Sequence, residues 1–227
     1  MKPRTRIVML GLGVASAAFA ATLLGANNVD PAHKFAWQEN CGWLNWRDAN
    51  RGAQGARVTA TFLSDYIWAE NIGWINLGDG TPADGINYAN VNGTDIGVNL
   101  DPETGDLFGL AWGENVGWIN FDTRAALGPH AQQAQLDLCE NTLLGYAWGE
   151  NIGWINLDDA THFVGLGPDC APGDIACDGV IGLFDYSTFQ DVVMGPDVPV
   201  DCPVLDFDAD GDVDLLDFAD FQATFGS

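Results

Sequence analysis

Positive charge is nearly missing from this chain. Eight Lys and Arg stand against 32 Asp and Glu over 227 residues, a formal net charge of -24. Three of the eight, Lys2, Arg4 and Arg6, fall within the first six positions, and no Lys or Arg follows Arg124. A surface of this sign repels phosphate backbones, which makes nucleic acid a poor partner and suits a protein whose ligands are cations. Histidine is also scarce: His33, His130 and His162 are the whole supply, and no C-x-x-C occurs, which argues against a zinc site. No G-x-S-x-G, H-E-x-x-H or Ser/His/Asp constellation is present. Beyond the N-terminal stretch, no apolar run is long enough to cross a membrane. The hydrophobic fraction of 47% is nonetheless that of a chain with a buried core.

The early positive charge has a reading of its own. Met1 to Arg6 form a basic segment, Ile7 to about Ala20 an apolar one, and Ala18-Phe-Ala20 resembles a cleavage site, with Ala26 as a later alternative. This is the pattern of a secretory signal over residues 1–20, and it predicts a secreted or cell-surface protein with no membrane segment after cleavage. The chain has five cysteines, an odd number. Cys170, Cys177 and Cys202 cluster near the C-terminus, where a small unit gains most from a disulfide, so one bridge within that trio is expected.

What is abundant is tryptophan in fixed slots. The phrase W-x-E-N-x-G-W-[IL]-N occurs four times, opening at Trp37, Trp68, Trp112 and Trp148 and carrying its second indole at Trp43, Trp74, Trp118 and Trp154. Eight of the nine tryptophans lie inside it; Trp46 directly follows the first copy. Around the third copy the unit reads as a β-like Asp95–Leu100, a turn at Asp101-Pro-Glu-Thr-Gly105, a return strand Leu107–Trp112, a tight turn at Glu114-Asn-Val-Gly117 and a third strand Trp118–Phe121. The fourth copy follows the same plan. Repeated three-stranded β-meanders are therefore expected over residues 30–166, with the phrase folded as a hairpin that lays Trp112 across from Ile119, the alternative being a continuous strand with a glycine bulge that puts both tryptophans of a copy on one face.

Two readings of the indoles follow. In the first, Trp and Ile fill the core between units. In the second, Trp37, Trp68, Trp112 and Trp148 are ligand-binding platforms for sugar rings, with Glu and Asn bonding hydroxyls. The repeat reads mainly as corner and core. Glu39, Glu70, Glu114 and Glu150 share one slot, and a carboxyl repeated in equivalent surroundings lacks the singular environment of a catalytic acid. The phrase resembles tryptophan-rich repeats of exported bacterial proteins of unknown role, which implies a location only. In the Gly78–Gly85 loop, Asp79 and Asp84 are expected to be turn residues rather than cation ligands.

A linker signal at 167–172 separates this region from residues 173–227, where aspartate takes over. Asp206, Asp208, Asp210, Asp214 and Asp217 occupy positions 1, 3, 5, 9 and 12 of a loop with Gly211 at position 6 and Asp212 at position 7. A hard cation needs six to eight oxygens, and alternate residues of a tight loop turn inward to supply them, so the expected cofactor is calcium. Asp212 would offer its carbonyl, and Asp217 would close the site from the first turn of a helix over Leu215–Phe225 with an apolar stripe at Leu216, Phe218 or Ala219, Phe221 and Phe225. Thirty-two residues earlier a worn copy keeps Asp174, Asp178, Gly179 and Asp185. It is either a weaker calcium site or a metal-free structural copy.

Two such loops, each with only the following helix, at the end of an exported chain resemble a dockerin domain. The resemblance covers residues 173–227. It implies two calcium loops whose ligands fall on Asp206, Asp208, Asp210, Asp212, Asp214 and Asp217, and on Asp174, Asp178, Val180 (through its carbonyl) and Asp185. It also implies antiparallel helices and a cohesin-like partner. The chain departs from the family at positions 10 and 11, where partner-reading Ser/Thr are replaced by Leu183-Phe184 and Leu215-Leu216. The expected whole is a mainly β protein with a small α-helical calcium-loop tail: exported, non-catalytic and tethered through that tail to a scaffold or surface protein. A carbohydrate-binding or accessory role in polysaccharide degradation is the alternative, and a glycoside hydrolase a more remote one.

Overall fold

The computed structural model describes residues 27–127, 132–167, 173–174, 180–196, 202 and 204–225. The expected export signal at 1–20, its alternative end at Ala26, the expected linker beyond Gly167 and the loop residue Asp178 lie outside them.

The protein is mainly β. Its strands are β1 (Val29–Gln38), β2 (Gly42–Asn45), β3 (Arg57–Val58), β4 (Leu63–Ala69), β5 (Gly73–Gly78), β6 (Val98–Leu100), β7 (Leu107–Gly113) and β8 (Gly117–Asn120). After a short helix α1 (Arg124–Leu127) come β9 (Gln135–Asp137), β10 (Thr142–Leu144), β11 (Tyr146–Gly149), β12 (Gly153–Asn156) and β13 (Val164–Leu166). Two helices complete the tail, α2 (Leu183–Val192) and α3 (Leu215–Thr224).

Each copy of the phrase is a hairpin, as expected, but the register differs by one residue. Trp37 stands opposite Trp43, Trp68 opposite Trp74, Trp112 opposite Trp118 and Trp148 opposite Trp154; Ile119 pairs instead with Ala111. Glu and Asn of the phrase form the centre of the turn, closed in the second, third and fourth copies by a bond from the x residue's N–H back to the strand (Ile72 to Ala69, 3.3 Å; Val116 to Gly113, 3.2 Å; Ile152 to Gly149, 3.3 Å). The following Gly42, Gly73, Gly117 and Gly153 have φ of 79°, 82°, 78° and 88°, a left-handed conformation that strains any residue with a Cβ. A one-residue slip exchanges the two faces of a strand, so this register decides where the indoles point.

The four units do not stack as separate meanders. Their hairpins join edge to edge in the order β1–β2–β4–β5–β7–β8–β11–β12, and β12 pairs back onto β1 through Trp37–Asn156 and Gln38–Ile155. The result is a closed eight-stranded antiparallel barrel, which removes the sheet edges that exposed strands would leave. The outer strand of each unit pairs with the lower half of a long strand: β3 on β4, β6 on β7, β9 on β10. The first copy takes its outer strand from the far end of the repeat region, since β13 pairs with both β1 and β10. The long strands bend between halves where Asp65, Gly109 and Gly145 take φ of 66°, 95° and 77°.

The interior explains the residue choice. In three hairpins a small residue on the first strand (Ala36, Ala111, Ala147) pairs with a larger one on the second (Leu44, Ile119, Ile155), while the second hairpin pairs Ile67 with Ile75, all buried. Below them Trp46, Leu77, Phe121 and Leu157 fill one layer, and Cys41, Val116 and Ile152 lie buried at the turn end. A barrel this narrow favours such pairing of small with large side chains. The core reading of the phrase tryptophans is therefore corrected. Their slots alternate with inward residues, so the rings point outward; only Trp46, the one outside the phrase, lies in the core.

A ring of side chains locks the turns. Asn71 Nδ2 donates to Cys41 O (2.9 Å), Asn115 to Ile72 O (3.0 Å), Asn151 to Val116 O (3.0 Å) and Asn40 to Ile152 O (2.9 Å). Each turn holds its neighbour, and the fourth and first close the circle.

The tail has its own apolar cluster, built from Ile181, Phe189, Cys202, Leu205, Val213 and Phe221. Leu138 and Cys139 of the β9–β10 turn pack against it. Cys139 and Cys202 form a disulfide. The expectation of a bridge within the C-terminal trio is corrected for Cys202, whose partner belongs to the repeat region. Burial of the β9–β10 turn against the tail brings these two residues together across 63 positions of sequence. Cys170 and Cys177 lie outside the described residues, and Cys41 is a buried thiol whose pKa burial pushes up.

Candidate calcium loop and tryptophan belt

The second aspartate loop folds around Asp217. This carboxylate is 1% exposed although it stands in the first turn of α3. Its Oδ1 accepts from the N–H groups of Phe207 (2.8 Å) and Asp208 (3.4 Å), and its Oδ2 from that of Asp214 (2.7 Å). Asp214 caps the helix in return, accepting from Leu216 N at 2.6 Å. At the front of the loop Asp206 accepts from Asp210 N (3.1 Å) and Gly211 N (3.0 Å), and Asp210 from Asp212 N (3.2 Å). Ala209 and Gly211 turn the chain with φ of 59° and 95°.

These bonds draw the carboxylates into two clusters. Oxygens of Asp206, Asp208 and Asp210 lie within 4.8 Å of one another, and so do those of Asp212, Asp214 and Asp217. Partial desolvation, reinforced by the negative charge of Asp210 and Asp217, raises the Asp208 pKa above the usual carboxylate value. Asp212 and Asp217 are buried, and no Lys or Arg exists anywhere beyond Arg124 to neutralise them. The donor set is all hard oxygen, which fits calcium and fits soft or nitrogen-seeking metals poorly.

In the first loop Asp185 reproduces the role of Asp217. It is 1% exposed, stands in the first turn of α2 and accepts from Gly182 N at 2.8 Å. Asp174 is buried and Val180 exposed. The glycine at position 182 supplies no side-chain oxygen where the second loop has Asp214.

Between the helices, Phe189 packs on Phe221 at 5.4 Å and on Phe218 at 5.5 Å. The apolar stripe expected on α3 is buried only in part: Phe221 is covered, while Leu216 and Phe225 are exposed. Phe225 lines an apolar groove of about 450 Å³ with Leu183, Tyr186, Phe218, Phe221 and Gln222, and Leu183 and Leu215 are exposed as well.

On the barrel, the eight outward tryptophans form a belt of four edge-on pairs with centroids 4.6–4.9 Å apart. Trp37, Trp68, Trp112 and Trp148 are 36–42% exposed. Phe35, Tyr66 and Tyr146 extend three of the pairs. The belt had a signal in the sequence: in Ala111-Trp112-Gly113 and Ala147-Trp148-Gly149 the flanking residues are the small ones a narrow barrel requires inside. Asp79 and Asp84 hold their loop by accepting from Thr81 N and from Ile86 and Asn87 N, all at 2.8 Å.

Compared with protein families, curated proteins and solved structures, the chain matches none.

Proposed function

We propose that this is an exported, non-catalytic protein whose C-terminal tail binds calcium in the manner of a dockerin module and docks the barrel to a cohesin-like or other cell-surface protein. The observation that carries this reading is the loop of Asp206–Asp217: six carboxylates, two of them buried, in a segment with no basic side chain. Calcium supplies the missing positive charge, with Asp206, Asp208, Asp210, Asp214 and Asp217 as side-chain ligands and Asp212 through its carbonyl. The first loop, with Asp174, Asp178, Val180 and Asp185, is the weaker site. Leu183, Leu215 and Leu216, exposed at loop positions 10 and 11, are the docking contacts, and their apolar character sets a partner different from one that reads Ser/Thr. The disulfide from Cys139 to Cys202 means that the tail carries the barrel as a stapled unit. Chelation followed by far-UV circular dichroism tests the calcium reading: helical signal should fall and return with calcium, and a spectrum indifferent to chelator would refute it.

A second reading concerns the barrel. Its belt of outward indoles supports carbohydrate binding, because exposed aromatic surface on this scale marks an interaction site.

A further inference from the structure

We infer that the junction where the fourth hairpin closes on the first is a binding groove for a neutral sugar chain. This rests on the carbohydrate reading of the barrel and gives it a place. Where β12 meets β1 the outer surface carries a groove of about 490 Å³. Trp37, Trp148, Trp154 and Tyr146 are its aromatic lining, and Glu39 and Asn156 its polar edges.

The rings are held before any ligand arrives. Trp148 and Trp154 meet at 4.8 Å with their planes 67° apart, and Trp37 is braced by Trp43 at 4.6 Å and 65°. Indoles fixed by each other have little rotamer freedom left to lose on binding. The junction also has a floor found at no other. The second position of the phrase is Gln38 here and Ala69, Gly113 and Gly149 elsewhere. Its buried amide donates to Ile152 O across the junction and accepts from Asn40 N (2.6 Å) and Cys41 N (2.7 Å).

Gln38, Asn40 and Asn156 Oδ1, which accepts from Asp158 N at 3.2 Å, are engaged, and other polar atoms of the lining are open. Among the described residues, none hydrogen-bonds the indole N–H of Trp37, Trp148 or Trp154, the Tyr146 hydroxyl or the Glu39 carboxylate. Ring faces for the C–H surface of a pyranose and free donors and acceptors for its hydroxyls are the two halves of sugar recognition. The charge selects among sugars. Glu39 at the edge and a net charge of -24 repel uronic and sulfated chains, so the occupant is neutral. A volume of about 490 Å³ suits linked rings better than a single compact cation.

Calorimetric titration of the full chain with neutral β-linked hexaoses of glucose, xylose, mannose and N-acetylglucosamine tests this. One class should bind; Trp37→Ala should weaken it about tenfold or more, and Glu39→Gln measurably, while Val91→Ala, exposed and outside the tryptophan belt, should stay within about twofold. Thermal melts of each variant verify folding. If Trp68→Ala abolishes binding and Trp37→Ala does not, the junction is wrong and the carbohydrate reading stands. If no hexaose binds, or tetramethylammonium binds in their place, both fall.

Discussion

Replacing Asp217 by Asn separates the two jobs of that side chain. The substitution keeps shape and volume but removes one charge and one acceptor. In the native loop Oδ1 takes the N–H groups of Phe207 and Asp208 and Oδ2 that of Asp214. Whichever way the new amide turns, its NH2 faces a backbone N–H that has lost its acceptor in a side-chain environment 1% exposed. Leaving one buried donor unsatisfied costs about 1–3 kcal/mol. Relief of repulsion among the neighbouring carboxylates returns part of that when calcium is absent, so the apo tail should lose only about 1 kcal/mol. With calcium the balance changes, because a charged ligand that closes the site has gone. Affinity should drop by about two orders of magnitude, equivalent to about 3 kcal/mol. Hydrogen-exchange mass spectrometry reads both effects from the amides of 215–224, since none of the nine tryptophans lies in the tail to report by fluorescence. Protection of α3 should be slightly reduced without calcium and much less restored by calcium than in the parent. Equal protection in both proteins at every calcium concentration would refute the reasoning.

Other outcomes follow from the barrel. Asn71→Ala removes the bond to Cys41 O and should lower stability by about 1 kcal/mol in chemical denaturation; an unchanged midpoint would mean that the ring of turn asparagines contributes nothing. Asp65→Gly should raise stability by about 0.5–1 kcal/mol, because this aspartate occupies φ 66° where the equivalent positions are Gly109 and Gly145, and its carboxyl is pushed up in pKa by burial. Cys139→Ala with Cys202→Ala opens a closure of 63 residues, for which chain entropy gives about 4 kcal/mol as a ceiling. The tail's helices should then lose exchange protection at lower denaturant while the barrel's tryptophan fluorescence transition moves less; a single shared transition would contradict the division into two clusters.

How much of this was legible in the residues differs by element. The turns were, because Glu-Asn-x-Gly is a local instruction: the glycine needs positive φ and the turn centre accepts Glu-Asn wherever it sits. The gathering of the aspartate side chains was, because alternate spacing around Gly211 brings their oxygens together. The facing of the indoles was misjudged by a one-residue register, and alternation of period two cannot by itself say which face is inside. The size of the flanking Ala and Gly carries that information. Barrel closure had no local signal, since β12 meets β1 across more than a hundred residues and neither strand announces its partner. The same holds for β13, and for the pairing of Cys139 with Cys202, which depends on the tail lying against the β9–β10 turn. Leu216 and Phe225 fit an amphipathic stripe by spacing, but in a tail with two short helices there is not enough opposing surface to cover them.

Calcium binding by the acidic tail is the proposal on which the docking role rests. Calorimetric titration of the full chain with calcium, in a magnesium background and after chelator treatment, addresses it directly. Saturable binding at one site or more is expected, with the tightest site abolished by Asp206→Ala together with Asp208→Ala. Titration without saturable heat, or saturable heat that this double variant leaves intact, would contradict it.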